Sequence, residues 1–251
     1  MAVLLQTSAI ESGQLWFLIG TVAFLAGLGV FVRVGGRSST GRRLSVLSIG
    51  LAFAGTVTYL LLSLGYGSLQ VTFGGVSQRV YWLHYLDWLV TFPLVLLALG
   101  TIAGASRRTV GATVGFSISL VVFGLTSALT TQALAGYDAI TVRYGLFGLS
   151  VVALVAVVVL LARPISRSAA QQATEVALVY SMLRNVVIVL LVLYGLGWLA
   201  TQLLGVVPVV VALAGYLLLD LLLKLGVGWL VLSNRATMND ATDSKPRTLG
   251  S

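Results

Sequence analysis

The chain predicts an all-α membrane protein, a seven-transmembrane-helix bundle with its amino terminus outside and its carboxyl terminus cytoplasmic, and three observations predict it. Of its 251 residues, 58% are hydrophobic and only 9% charged, whereas a soluble domain carries about 25% charged residues; the mean hydropathy is +1.03. The apolar residues gather into stretches of roughly twenty, the length that crosses a bilayer as helix, rather than into the alternating segments of an outer-membrane barrel. Lys and Arg fall mostly in the links on one side, and cytoplasmic loops hold that excess.

Met1–Glu11 lacks a basic leading region and its apolar run is too short for a signal peptide, so it reads as a short exposed tail. The first span is placed at Gln14–Val34 and the second at Leu44–Tyr66, separated by the turn-rich Gly35-Gly-Arg-Ser-Ser-Thr-Gly41. Phe73-Gly-Gly75 punctuates the next link, before a third span at Val80–Ala103. Gly104-Ala-Ser-Arg-Arg108 leads to a fourth at Thr109–Thr130, and a fifth at Tyr144–Ala162 is ended by Arg163-Pro164. The sixth is Val176–Leu199 and the seventh Val207–Leu232. No link is long enough for a second domain, so 1–235 reads as one domain and 236–251 as a flexible cytoplasmic tail.

Arg33, Arg37, Arg42, Arg43, Arg107, Arg108, Arg163, Arg167, Arg184, Arg235, Lys245 and Arg247 belong to one side, against Arg79 and Arg143 on the other. This asymmetry accounts for the net charge of +8 without nucleic acid, because the basic residues are spread over loops rather than interleaved with exposed aromatics. The chain has no cysteine, which excludes thiol catalysis and thiolate metal sites. His84 is its single histidine, so a multi-histidine metal centre is excluded as well. No hydrolytic apparatus is visible, and the chain does not read as an enzyme.

Three ionisable residues remain inside the spans, where charge is costly and marks function. Asp220 and Lys224 lie four residues apart and share a helix face. Asp87 sits in Tyr81-Trp-Leu-His-Tyr-Leu-Asp87-Trp-Leu-Val-Thr91-Phe-Pro93, flanked by aromatics. A lysine in a dry aromatic cavity has a nucleophilic amine that can condense with an aldehyde to a Schiff base, and the resulting cation needs carboxylate counter-charges. From these three residues alone, a structural or transport salt bridge stands equally well, including a transporter gated by the Lys224–Asp220 pair.

The surrounding sequence separates these readings. Leu64-Gly-Tyr-Gly67, Phe73-Gly-Gly75, Asp87-Trp88-Leu89, Thr91, Pro93-Leu94, Leu183-Arg-Asn185, Tyr194, Trp198, Leu219-Asp220 and Lys224 together resemble the archaeal microbial rhodopsins. The resemblance implies retinal on Lys224, Asp87 as primary counterion and proton acceptor, and Asp220 as second counterion. It also implies a chromophore wall of Tyr85, Trp88, Thr91, Val95, Leu120, Gly124, Phe147, Ser150, Leu154, Leu191, Tyr194 and Trp198, with Tyr59, Tyr85 and Tyr194 orienting the carboxylates.

The chain also departs from the family. Ala98 stands where pumps have an internal acid, so recovery after light is expected to be slow. His84 stands where the family has arginine, which makes the field near Asp87 pH-dependent. Leu191 and Gly195 replace a tryptophan and a proline, which loosens control of the isomer and leads us to expect mixed retinal isomers in the dark. Leu223 replaces the threonine of the type II sensory relay. Between pump and sensor, the pattern resembles the haloarchaeal middle rhodopsins: a photoreceptor of the cell membrane, sensory in type, with an outward proton pump lacking an internal donor as the alternative. Membrane lipid is the expected partner, and a transducer protein or a homo-oligomer is compatible with the sequence.

Overall fold

The computed structural model describes residues 2–35, 41–73 and 76–235, with side chains described from residue 13 onward, that of residue 76 excepted. Among the described residues, seven helices are long and apolar enough to cross a membrane: α1 (Ala2–Gly35), α2 (Arg42–Ser63), α3 (Trp82–Ile102), α4 (Arg107–Leu129), α5 (Ala139–Ala169), α6 (Thr174–Leu203) and α7 (Val209–Ser233). Consecutive helices pack as neighbours and α7 closes the ring against α1 and α2, while α3 also meets α6 across the middle. α3 is the most enclosed span, with 61% of its window buried, which is why its Asp87 and aromatics face the interior.

Four features differ from the sequence reading. Helix α1 runs back to Ala2 instead of beginning after a tail, because Ala, Leu and Gln favour helix and no glycine interrupts before Gly13. Between α2 and α3 the chain forms a two-stranded antiparallel hairpin, β1 (Leu69–Phe73) and β2 (Val76–Val80), with Phe73 opposite Val76. The Gly-Gly pair between two short β-branched runs is a hairpin signal that a purely helical reading passes over. Helix α5 begins at Ala139, five residues earlier than expected, because the Asp138 side chain accepts from the Thr141 backbone N–H at 2.7 Å and caps it. The stretch 236–251 lies outside the described residues.

The Arg163-Pro164 break does not end α5 either. The helix passes through it by a π turn, Leu161–Ile165, which accommodates a residue without an N–H. The Leu161 carbonyl accepts from the Ser166 hydroxyl and from the Tyr180 hydroxyl of α6, each at 2.8 Å. A second π turn, Leu221–Gly226, carries Lys224.

Two glycines position the site. Gly67 (φ +85°) turns the chain toward α3, and its carbonyl accepts from Leu83 N at 3.1 Å; a Cβ there would meet the Leu83 side chain. Gly20 of α1 lets the Tyr59 ring lie against bare backbone, where a Cβ would come within 2.6 Å of Tyr59 Cε1.

Candidate functional site

Helices α3 and α7 bring Asp87, Asp220 and Lys224 together at the centre of the bundle. Lys224 Nζ lies 3.0 Å from Asp220 Oδ1 and forms an ion pair with Asp87 Oδ2, and all three side chains are shielded from solvent. The π turn aims Lys224 while leaving it beside the acid one turn earlier. Asp220 is held by three donors from three other helices: the Tyr59 hydroxyl to Oδ2 at 2.8 Å, the Tyr194 hydroxyl to Oδ1 at 2.5 Å and Trp88 Nε1 to Oδ1 at 3.2 Å. Asp87 has a different setting. Its Oδ1 has no hydrogen-bond partner, and the hydroxyl of the buried Thr58 faces it.

The two carboxylates are therefore not equivalent. Asp220 is locked as an acceptor of three hydrogen bonds that favour its ionised form. Asp87 keeps a bare oxygen beside the amine, the arrangement of a group that can take a proton. His84, 4% exposed, stacks on Trp88 at 5.9 Å and places Nδ1 3.8 Å from Asp220 Oδ2. It lies nearer Asp220 than the expected role beneath Asp87 required.

Next to this cluster is an apolar cavity between α3, α4, α5 and α6. Among its walls are Tyr85, Trp88, Leu120, Gly124, Phe147, Ser150, Leu154, Leu191, Tyr194 and Trp198. Phe147 and Trp198 stack at 4.9 Å with 7° between their planes, giving one flat wall, and Trp88 stacks on Phe92 at 6.0 Å and 10° to give another. Trp88 and Tyr194 stand between the cavity and the amine, since both line it and both bond Asp220.

Two expected wall residues do not line the cavity, and one expected orienting residue has another partner. Thr91 is fully buried, donates its hydroxyl to the Asp87 backbone carbonyl at 2.9 Å, and is not among the residues lining the cavity. Val95 packs with Leu96, Val187 and Leu223 beside Phe92 and Leu191, the two residues of this group that also line the cavity. Tyr85 does not orient a carboxylate: its hydroxyl accepts from Trp198 Nε1 at 2.6 Å, which fixes the indole in the wall.

The sequence reading overlooks Phe92, Val121 and Val151 as walls, Tyr216 beside His84 and Trp88, and Arg143 as a buried residue. Phe92 follows Trp88 by four residues and Tyr216 precedes Asp220 by four, so helical spacing carries a signal for both. Val121 and Val151 look like any lipid-facing valine. Arg143 reads as a loop residue in the sequence; the early start of α5 draws it inside, 2% exposed, with its guanidinium 4.6 Å from the Phe73 ring centre.

Comparison with known proteins agrees with this architecture. A family model described as bacteriorhodopsin-like protein matches residues 11–238. The bacteriorhodopsin of Haloterrigena sp. (strain arg-4) is 32% identical over 189 residues, 74% of this chain and 72% of that protein. Bacteriorhodopsin-I of Haloquadratum walsbyi (strain DSM 16854 / JCM 12705 / C23) is 28% identical over 202 residues, 79% and 77% of the two chains. The crystal structure of thermophilic rhodopsin from Rubrobacter xylanophilus superposes with a TM-score of 0.83 at 28% identity, covering 92% of this chain and 99% of that one. The chain belongs to the bacteriorhodopsin-like microbial rhodopsins, a retinal-binding family of multi-pass membrane proteins whose members are light-driven transporters or photoreceptors rather than enzymes.

Proposed function

We propose that this protein is a retinal photoreceptor of sensory type, in which light moves a proton from the Lys224 nitrogen to Asp87 in a slow cycle with little net transport. The observation that carries the reading is the unequal pair of carboxylates on one amine: Asp220 bound by three donors, Asp87 with an unpartnered oxygen. The residues present fit retinal, because a primary amine adjoins an apolar cavity with parallel aromatic walls. When bound through a Schiff base, retinal supplies a polyene that light isomerises and an N–H beside Asp87.

The chain's own residues hold the slot and direct the proton. Trp198, fixed by Tyr85, and Phe147 hold one end of the slot, and Leu120, Gly124 and Leu154 leave it narrow and dry. Tyr59, Tyr194 and Trp88 keep Asp220 ionised, so that Asp87 is the carboxyl that accepts the proton. Return of that proton is slow because Ala98, not an acid, lies along α3 beyond Val95. The leucine at 191 leaves the cavity's roof flexible and supports mixed isomers in the dark. The basic asymmetry of the links supports an amino terminus outside and a carboxyl terminus in the cytoplasm, with lipid headgroups as the partner of the basic links.

Adding all-trans retinal to purified apoprotein tests the first half: a visible absorption band is expected in the wild type and none in Lys224→Ala. Flash photolysis with a pH probe on vesicles tests the second. A slow cycle with little acidification is the expected result, and sustained acidification at high turnover would make the protein an outward pump instead.

A further inference from the structure

His84 belongs to two compartments at once. On the inner side, a ring nitrogen of His84, one oxygen of Asp87 and one of Asp220 all lie within 4.8 Å of one another, with Nδ1 3.8 Å from Asp220 Oδ2. On the outer side the same ring is a wall of a second cavity, between β2, the start of α3, the end of α6 and the start of α7. That cavity runs from the buried imidazole to the half-buried Gln78, Arg79 and Gln202 and to Val209, which is 51% exposed. Among the described residues that line it, none is a carboxylate, and His84 is the single side chain whose ordinary pKa, about 6.5, lies near neutrality.

Packing alone does not account for this ring. Phe17, Tyr59, Tyr81, Trp88 and Tyr216 surround it with ring centres 5.5 to 6.5 Å away, yet Nδ1 is closed off from solvent and has no hydrogen-bond partner. A buried histidine kept for its bulk satisfies that nitrogen, whereas here it faces a carboxylate from just beyond hydrogen-bond reach, and a small turn of the ring closes the gap. The titratable and charged groups around it are Asp220, Lys224 and Tyr216 of α7, Tyr59 of α2, Tyr81 and Asp87 on its own stretch of chain, and Arg79 of β2 across the cavity. The Tyr216 and Thr201 hydroxyls, 3.1 Å apart, continue the polar path along the cavity wall.

We propose that His84, on the function given above, is the proton shuttle between the Asp87–Asp220 pair and the hairpin face, and that it serves both exit and return. After Asp87 has taken the proton from the Lys224 nitrogen, the Asp87 O–H bond breaks, Asp220 relays the proton to the lone pair of His84 Nδ1, and Asp87 is again a carboxylate. The imidazolium so formed gives up the proton on its other nitrogen to solvent on the cavity side and becomes neutral. On return the same bonds form in reverse order, ending with the proton on the Lys224 nitrogen. Exit and return then share one face, so the cycle moves a proton without net transport.

His84 is the chain's single histidine, so isotope labelling of histidine reads it alone. In the full chain with retinal in vesicles, the light-minus-dark infrared spectrum is expected to contain imidazole bands that move on nitrogen-15 labelling, and a pH dye on the hairpin side should report a release that reverses in the dark within the same cycle. His84→Gln should slow that release and return by about 10²-fold, while the carboxylic-acid band of Asp87 still appears. Should His84→Gln fail to fold, the labelled wild type decides alone. Infrared bands that ignore the label, or an unchanged pH transient in His84→Gln, overturn the shuttle, and sustained acidification overturns the shared return. Absence of any visible band with retinal would instead sink the photoreceptor reading. The coupling is then still read in the retinal-free chain, where Asp220→Asn should displace the pH titration of the labelled ring in nitrogen-15 NMR; a titration that Asp220→Asn leaves in place overturns the shuttle there too.

Discussion

The two halves of the bundle on either side of Lys224 are built of different chemistry. Toward the hairpin lie Asp87, Asp220, His84, Arg79, Gln202 and Arg143, with hydroxyls from Tyr59 and Tyr194. Toward the other end, α3, α6 and α7 meet through Phe92, Val95, Leu96, Val187, Leu191 and Leu223, and Ala98 is among the buried residues further along α3. Among the described residues, the buried carboxylates and the imidazole lie on the hairpin side of the spans, and on the function proposed above that one-sidedness is what slows the proton's return.

The largest break in this contrast comes from Lys224→Ala, which should abolish the visible band and, by leaving two buried carboxylates without their cation, cost about 3–5 kcal/mol of stability; spectra and thermal unfolding read both. Ala98→Asp puts an acid into the apolar half and should speed recovery in flash photolysis by roughly 10²-fold. An unchanged rate would show that the missing acid is not what slows the cycle. Tyr194→Phe removes one donor from Asp220 and should cost about 1–3 kcal/mol, visible as a lower unfolding temperature and a shifted absorption maximum. His84→Arg should flatten the pH dependence of the colour, since a guanidinium stays charged across the range in which histidine titrates; a titration identical to wild type would leave His84 a packing residue.

The smallest effect belongs to Asp138, exposed and outside the spans. Its hydrogen bonds from Thr141 hold its carboxyl below the usual range, so its contribution to stability is present above that range and is lost as pH falls through the depressed value. Asp138→Ala should therefore lower the unfolding temperature slightly at neutral pH and not at strongly acidic pH.

The seven spans are legible in the sequence because twenty-residue apolar runs have few other uses, and the ion-pair cluster is legible because charge in such runs is rare. Ten of the expected wall residues line one cavity for the same reason: they sit at helical spacings on faces that the aromatics mark. What escapes is whatever depends on exact phase. The π turns at Leu161 and Leu221 leave no mark in composition, and Thr91 and Val95 miss the cavity because only α3's rotation decides which side they face. Arg143 looks like a loop residue until the cap at Asp138 fixes where α5 starts.

The carbonyl that the Pro164 turn releases from the helical ladder is held by a hydroxyl on the neighbouring helix, and Arg184 reinforces the joint by donating to Ser166 at 2.7 Å. Separating that end of α6 from α5 must break both bonds, the Tyr180 one worth about 1 kcal/mol and the charge-assisted Arg184 one about 1.5–3 kcal/mol. Such a clasp ties α5 to α6 at the end of the bundle farthest from the hairpin.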